Sequence, residues 1–519
     1  MTASEPGAGN VAGLAPRRVH SLWRLELLQV ARGRYLSSIM AVAVIVTTLA
    51  LTAASGLLNS SVDPADLGSV LFQVLYSNAV FFAICGGAVW GALAISRDRE
   101  SAALDIILLA PLGARSIAWS KYRAAYCRLG LWLALFLPLG AVPFVCGGTT
   151  LAEAALAWLG VAICAAPSVA LGMFLGASVI HPKHALPLAL GWAVLLASGF
   201  LAVAGLGGAQ VAHQLWPEVT SALPIWLPVV LTRAALDWPS AVSILVIPLL
   251  GSLLLTWLYL ELTIRGIDPA RGRPERGLQR WAYACAVCCI GLALLASYWI
   301  AARDQQWMAF AGGIGVSLAL AWFLLLSFVD SPSRAGQRGR LTGPSTRGLL
   351  GWVLGFGYSV ASVLFVLGGV QAWQNRIRLG DSVYPSLLAI AVVALAGAAF
   401  LLFQTGFLAL LWRWGVNPRR AKKLLCAAAL VAWVLPWGVV VSGLGSRVFA
   451  LFAVVAASPA YAPVAAFQLA EIAAQGGLEF GDWTLLLPLC GDALHALAGA
   501  LFWWLAVRKP RASNKEGGA

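Results

Sequence analysis

Four charges of alternating sign stand together at Arg97, Asp98, Arg99 and Glu100. Behind them Leu104, Ile107, Leu108 and Leu112 recur at the i, i+3, i+4, i+8 spacing of one helical stripe, which Pro111 interrupts. A charged knuckle on a short amphipathic helix can lie along a membrane surface or dock on another protein, and the residues alone leave both uses open. A second candidate is the pair Asp492 and His495, three residues apart on one helical face of an apolar run that begins near Trp483. Nine residues into that run, Asp492 lies about 14 Å deep, near the middle of a bilayer. A carboxylate there either lines a transport path or satisfies a hydrogen bond between helices, and the pairing role carries more weight. Glu261 lies near the inner end of another run, where it can reach the interface. Cys285, Cys288 and Cys289 contain a CxxC spacing but have no His or acidic neighbour, so they read as packing. No pattern of catalytic residues, metal ligands or resident cofactor emerges.

These groups sit in a chain of 519 residues that is 60% apolar and 11% charged, against roughly 45–50% and 25% in soluble domains. The composition is that of a membrane protein, and the 23 Trp residues suit many helix ends at the headgroup boundary. Runs able to cross about 30 Å of hydrocarbon fall at 35–58, 68–95, 124–147, 154–180, 186–207, 241–263, 281–302, 308–329, 349–370, 386–412, 424–446 and 483–507. The expected architecture is all-α and polytopic, with about twelve transmembrane helices. The net charge of +14 does not indicate nucleic acid. With the N-terminus cytoplasmic, the only basic residues left outside are Arg233, Arg303, Arg376, Arg378 and Arg447, of 35 in the chain, and the positive-inside rule accounts for the rest. Both termini are then cytoplasmic.

This orientation removes one apolar stretch from the count. A crossing at 447–470 would carry Glu471, Glu479 and Asp482 inward and the basic tail outward, so the stretch, with Pro459 and Pro463, reads as a re-entrant or interfacial element on the outer side. The Pro-rich stretch 215–232 holds the same place before the sixth span. The chain therefore divides into a disordered tail (1–18), a six-span half (19–265) carrying a cytoplasmic element at 96–123, a connector (266–280), a second six-span half (281–507) and a tail (508–519). No removable signal peptide is apparent in the first 18 residues. All nine cysteines lie within or at the edge of apolar runs, which leaves no extracellular disulfide framework. Gly87 with Gly91 and Gly351 with Gly355 make GxxxG spacings that permit close helix approach.

From Asp98 to Lys121 the chain resembles, without a gap, the signature segment of ABC transporter permeases of the type-2 exporter class. Asp98, Arg99, Glu100, Leu104, Asp105, Ile107, Leu108, Pro111, Leu112, Ile117 and Lys121 keep identity or character, while Ala102, Ala103, Ala110, Gly113, Ser116 and Ser120 depart from it. The basic amphipathic lead-in Leu22–Arg34 is similar to the elbow helix of that class. The resemblance covers the first half only; the corresponding loop of the second, 330–348, reads as a Gly/Ser/Arg-rich connector.

The resemblance implies the membrane-spanning permease subunit of an ATP-driven exporter in a bacterial plasma membrane. The implied partner is a separate ABC ATPase, itself a dimer, coupled through Arg97, Asp98, Arg99, Glu100, Leu104, Asp105, Leu108, Pro111, Leu112 and Lys121. ATP would be bound by that partner. The chain has no GxxxxGK[ST] phosphate loop, and GVNPRRAKK at 415–423 lacks the second Gly and the Lys-Ser/Thr pair. Either the two halves form one unit, or two permease chains pair as a homodimer or heterodimer. Two rival readings are an ion-coupled secondary carrier working through Asp492 and a polytopic membrane transferase. The transferase lacks the expected cluster of His, Asp and Arg in an outer loop. The transported substrate is not legible.

Overall fold

The computed structural model describes residues 64–101, 103–109, 113–134, 136–179, 184–200, 238–267, 274–299, 306–329, 344–379, 384–417, 420–429 and 483–507. The expected span 35–58, the outer elements 215–232 and 447–470, the connector loop at 330–343, most of 424–446 and both tails lie outside the described residues. Among the described residues there is no strand. Among the same residues eight helical stretches, one of them running from Ala114 to Val145, are long and apolar enough to cross a membrane, as a polytopic membrane protein requires.

The chain divides into two compact units, Met1–Trp281 and Ala282–Ala519. In the first, α1 (Pro64–Glu100) is followed by the short α2 (Ala103–Leu109) and by α3 (Ala114–Ala134). Pro138, which has no amide proton, ends α3 in a 3-10 turn at Pro138–Gly140 before the short α4 (Ala141–Val145). α5 (Leu151–Ser178) opens with a capping box, in which Thr150 Oγ1 accepts from the Glu153 amide and the Glu153 carboxylate accepts from the Thr150 amide. α6 (Ala185–Phe200) follows, then α7 (Trp238–Ile267) and α8 (Pro274–Trp299), whose first turns close this unit.

Small residues set how near these helices come. Gly87 and Gly91 of α1 face Ser168, Val169 and Met173 of α5, and a Cβ on Gly172 would run into the Ala88 carbonyl. The expected close approach at 87–91 is therefore made, and Gly172 with Gly176 supplies its counterpart. α6 adds a seam of Ala185, Ala189, Ala193 and Ala197, all fully buried, and packs on α1 and α5.

Helix directions follow from the partners. Gly87 meets Ser168 and Gly176 meets Ala92, so α1 and α5 run parallel. α3 runs against both: Phe82 packs on Phe136 and Asp98 pairs with Lys121, while Tyr122 and Tyr126 donate to the Ala166 and Ala162 carbonyls. α7 runs with α5, since Ser252 donates to the Ile163 carbonyl and Tyr259 stacks on Phe174.

In the second unit, α9 (Trp307–Val329), α10 (Pro344–Leu379) and α11 (Tyr384–Arg413) pack as a trio, and α12 (Trp483–Val507) lies along α11. Gly499 is pressed against Leu402 and Phe403, and Gly406 against the Gly499 backbone. Ring contacts of Phe403 with His495 and of Phe407 with Phe502 descend together, so α11 and α12 run parallel. α11 ends in a Schellman motif: Gly415, at φ +70°, donates to the Trp412 carbonyl and Val416 to that of Leu411. The glycine of GVNPRRAKK is thus a helix terminator. Gly351 and Gly355 meet nothing within 4 Å; the second GxxxG spacing carries no close approach among the described residues.

Candidate functional site

The segment beginning at Arg97 is positioned by four helices. α1 continues through the charge cluster to Glu100, so Arg97, Asp98, Arg99 and Glu100 occupy its last turn and point around the helix rather than to one side. Asp98 turns inward and pairs with Lys121 of α3, whose ammonium is buried at 2% exposure. A buried ammonium is stable only when paired, so this contact holds α1 to α3. Arg99 reaches α5 instead. Its Nη1 donates to the carbonyls of Ala177 at 2.8 Å, Val179 at 2.9 Å and Gly176 at 3.3 Å. Those groups lie at the C-terminal end of α5, and the guanidinium meets both their lone pairs and the negative end of the helix dipole.

The outward residues form a different set. Arg97 and Glu100 are exposed, as are Gly113, Arg115, Trp119 and Arg123. α2 buries Leu104 in the core of the unit, leaves Ile107 half-buried and exposes Ile106 at 70%. Of the four stripe positions, the two whose side chains are described, Leu104 and Ile107, turn toward the unit's own core rather than outward. Asp105 and Leu108 lie on α2, with side chains outside the described set; Pro111 and Leu112 lie outside the described residues. Of the signature positions, Asp98, Arg99, Leu104, Ile117 and Lys121 hold the helices together, while Arg97 and Glu100 are presented outward.

Sequence reading missed the connection to α7. Arg115 Nη2, on the first turn of α3, lies 3.3 Å from Glu261 Oε1, and Trp257 Nε1 donates to the same oxygen at 3.1 Å. Glu261, expected to reach the interface, is buried at 6% exposure. No short-range signal marks a contact across 146 residues; a carboxylate inside an apolar run was the available hint. Further along α3, about two turns beyond Lys121, Arg128 stacks over the Trp90 ring at 4.5 Å, which stabilises that cation.

Asp492 is buried on α12, and its Oδ2 accepts no hydrogen bond among the described residues. His495 packs edge-on against Phe403 at 5.5 Å. Gln404 of α11 is fully buried with neither amide atom partnered among the described residues. Taking Gly397 as the origin, Gln404 falls on the α11 face that meets Leu318 of α9, opposite the Gly406 face that meets α12, so Gln404 and Asp492 belong to different seams. Among the described residues no group of three or more His, Cys, Asp or Glu side chains could hold a metal, and eight cysteines are free thiols.

No protein-family model, no curated protein and no solved structure matches the chain.

Proposed function

We propose that this chain is the membrane-spanning permease subunit of an ATP-driven exporter of the ABC type-2 class, working with a separate ATPase at the cytoplasmic ends of its helices. The observation that carries this reading is the division of labour within the 97–121 segment. Its inward charges tie α1, α3 and α5 together, while the exposed Arg97, Glu100, Ile106, Trp119 and Arg123 stand on that fixed base. An element that only floated on the membrane surface would not need three helix ends anchored beneath it. In the proposed cycle, nucleotide-driven closure of the ATPase pushes on this base, and the helices convert the push into alternating access or lateral release.

The test uses outward residues only, because reversing Asp98 would set a like charge against the buried Lys121 and disturb the base for reasons unrelated to docking. Arg97→Glu combined with Glu100→Lys should leave the thermal midpoint and membrane insertion unchanged and abolish copurification of an ATPase from native membranes. Wild-type recovery of the ATPase with this variant would defeat the docking role.

A second reading, an ion-coupled carrier, is favoured by one observation: the buried Asp492 carboxylate oxygen without a described partner. It needs no ATPase and makes transport depend on an ion gradient.

A further inference from the structure

Glu261 sits on α7, six residues before its end at Ile267, within a strongly apolar helix. An isolated carboxylate in such a place would be neutralised or expelled, so its partners determine where α7 can rest. Three elements meet it. Arg115 arrives from the first turn of α3 and the Trp257 indole from one turn back on α7. The other oxygen, Oε2, lies so close to Gly277 on the first turn of α8 that a Cβ there would collide with it. A helix start presents unpaired amides and the positive end of the dipole, which suits a carboxylate. The ion pair is unequal: the Arg115 side chain is 60% exposed and that of Glu261 only 8%. Its anionic end is thus fixed among α7 and α8, and its cationic end stands at the surface, four residues before Trp119 on the α3 segment that carries the outward set.

We propose that Glu261 is a positioning residue through which the signature segment moves α7 and α8. Engagement of α2 and the start of α3 by the ATPase displaces Arg115, and the buried carboxylate follows its counter-charge and takes its helix along. This rests on the permease reading above, and it adds a route from the 97–121 base to helices that the signature itself does not contain.

The test uses the full complex from native membranes in a cysteine-free background, with spin labels at Leu159 on α5 and Leu253 on α7, both exposed positions. Wild type should show a distance shift between the nucleotide-free state and the ATP–vanadate state. Glu261→Gln should copurify the ATPase in normal amount yet lose most of that shift, and the swap Arg115→Glu with Glu261→Arg should restore it. Should Glu261→Gln fail to fold, Arg115→Gln, at an exposed side chain, should give the same loss. A full shift in either single variant overturns the proposal. A partner-free measurement keeps the two readings separate: with labels at Gly113 and Leu253 on the chain alone, Glu261→Gln should widen the distance distribution. An unchanged width overturns the Glu261 proposal whether or not an ATPase is present, whereas absence of any ATPase from the wild-type preparation counts against the permease reading.

Discussion

Gly172 has no space for a side chain, because the α1 backbone at Ala88 fills the position where a Cβ would stand. Gly172→Ala must push α5 off α1 along the whole seam, at a cost of about 1–3 kcal/mol for overpacking. The thermal midpoint of the purified protein should fall accordingly. Gly355→Ala, with nothing within 4 Å, should leave the midpoint unchanged or raise it; an equal drop in both would refute the assigned seam. This pair also marks what spacing can tell. The two GxxxG patterns look alike in the chain, and only one has a helix lying on it, because the pattern records permission for approach and not the presence of a partner. The same holds for the charge cluster. That Arg97, Asp98, Arg99 and Glu100 act together is visible at once. Which of them turn inward depends on α2 reversing the chain so that Lys121 returns beside Asp98, and no local rule contains that.

At the scale of elements, direction is the informative quantity. α11 and α12 run parallel, so if both cross the membrane, an odd number of crossings separates residue 413 from residue 483. One crossing near 424–446 satisfies this, and a further one at 447–470 does not. A single cysteine at Gly477, which lies outside the described residues, should therefore react with an impermeant maleimide on intact cells. Labelling only after permeabilisation would overturn both the charge-based topology and the inference from helix direction. That α3 runs against α1 and α5 while α7 runs with α5 was readable from the order of the apolar runs, with α6 between α5 and α7, because each crossing of a membrane reverses the chain. The break at Pro138 was less so: an apolar run at 124–147 hides a helix end inside it, and only the missing amide proton distinguishes it.

For the whole molecule, the question is what energy drives it. The ATPase-dependent reading requires transport in proteoliposomes to need nucleotide, and it assigns Asp492 to packing between helices. On that reading Asp492→Asn keeps similar volume and one acceptor and should retain most activity, while Asp492→Leu should lower expression or thermal stability. Measured between pH 6 and 8, with and without ATP, transport that follows a pH gradient without nucleotide and vanishes in the Asn variant would establish the carrier reading instead. The overall class was legible because a 60% apolar chain has few other places to be. The cargo was not, since the apolar surfaces that would meet it are the same kind of surface that meets lipid.

Arg99 also imposes a schedule. Its acceptors on α5 lie 77 to 80 residues further along the chain, and at about 5–20 residues per second of synthesis they follow it by roughly 4–16 s. Arg115 waits longer still, since Glu261 comes 146 residues later. Until then both cations are tethered to newly made helices with none of those acceptors yet available, and hydration is their alternative. On insertion into a bilayer, a hydrated cation would hold its helix end at the water boundary during that interval, so the contacts that fasten the finished bundle would begin as a brake on how far each new helix can slide inward.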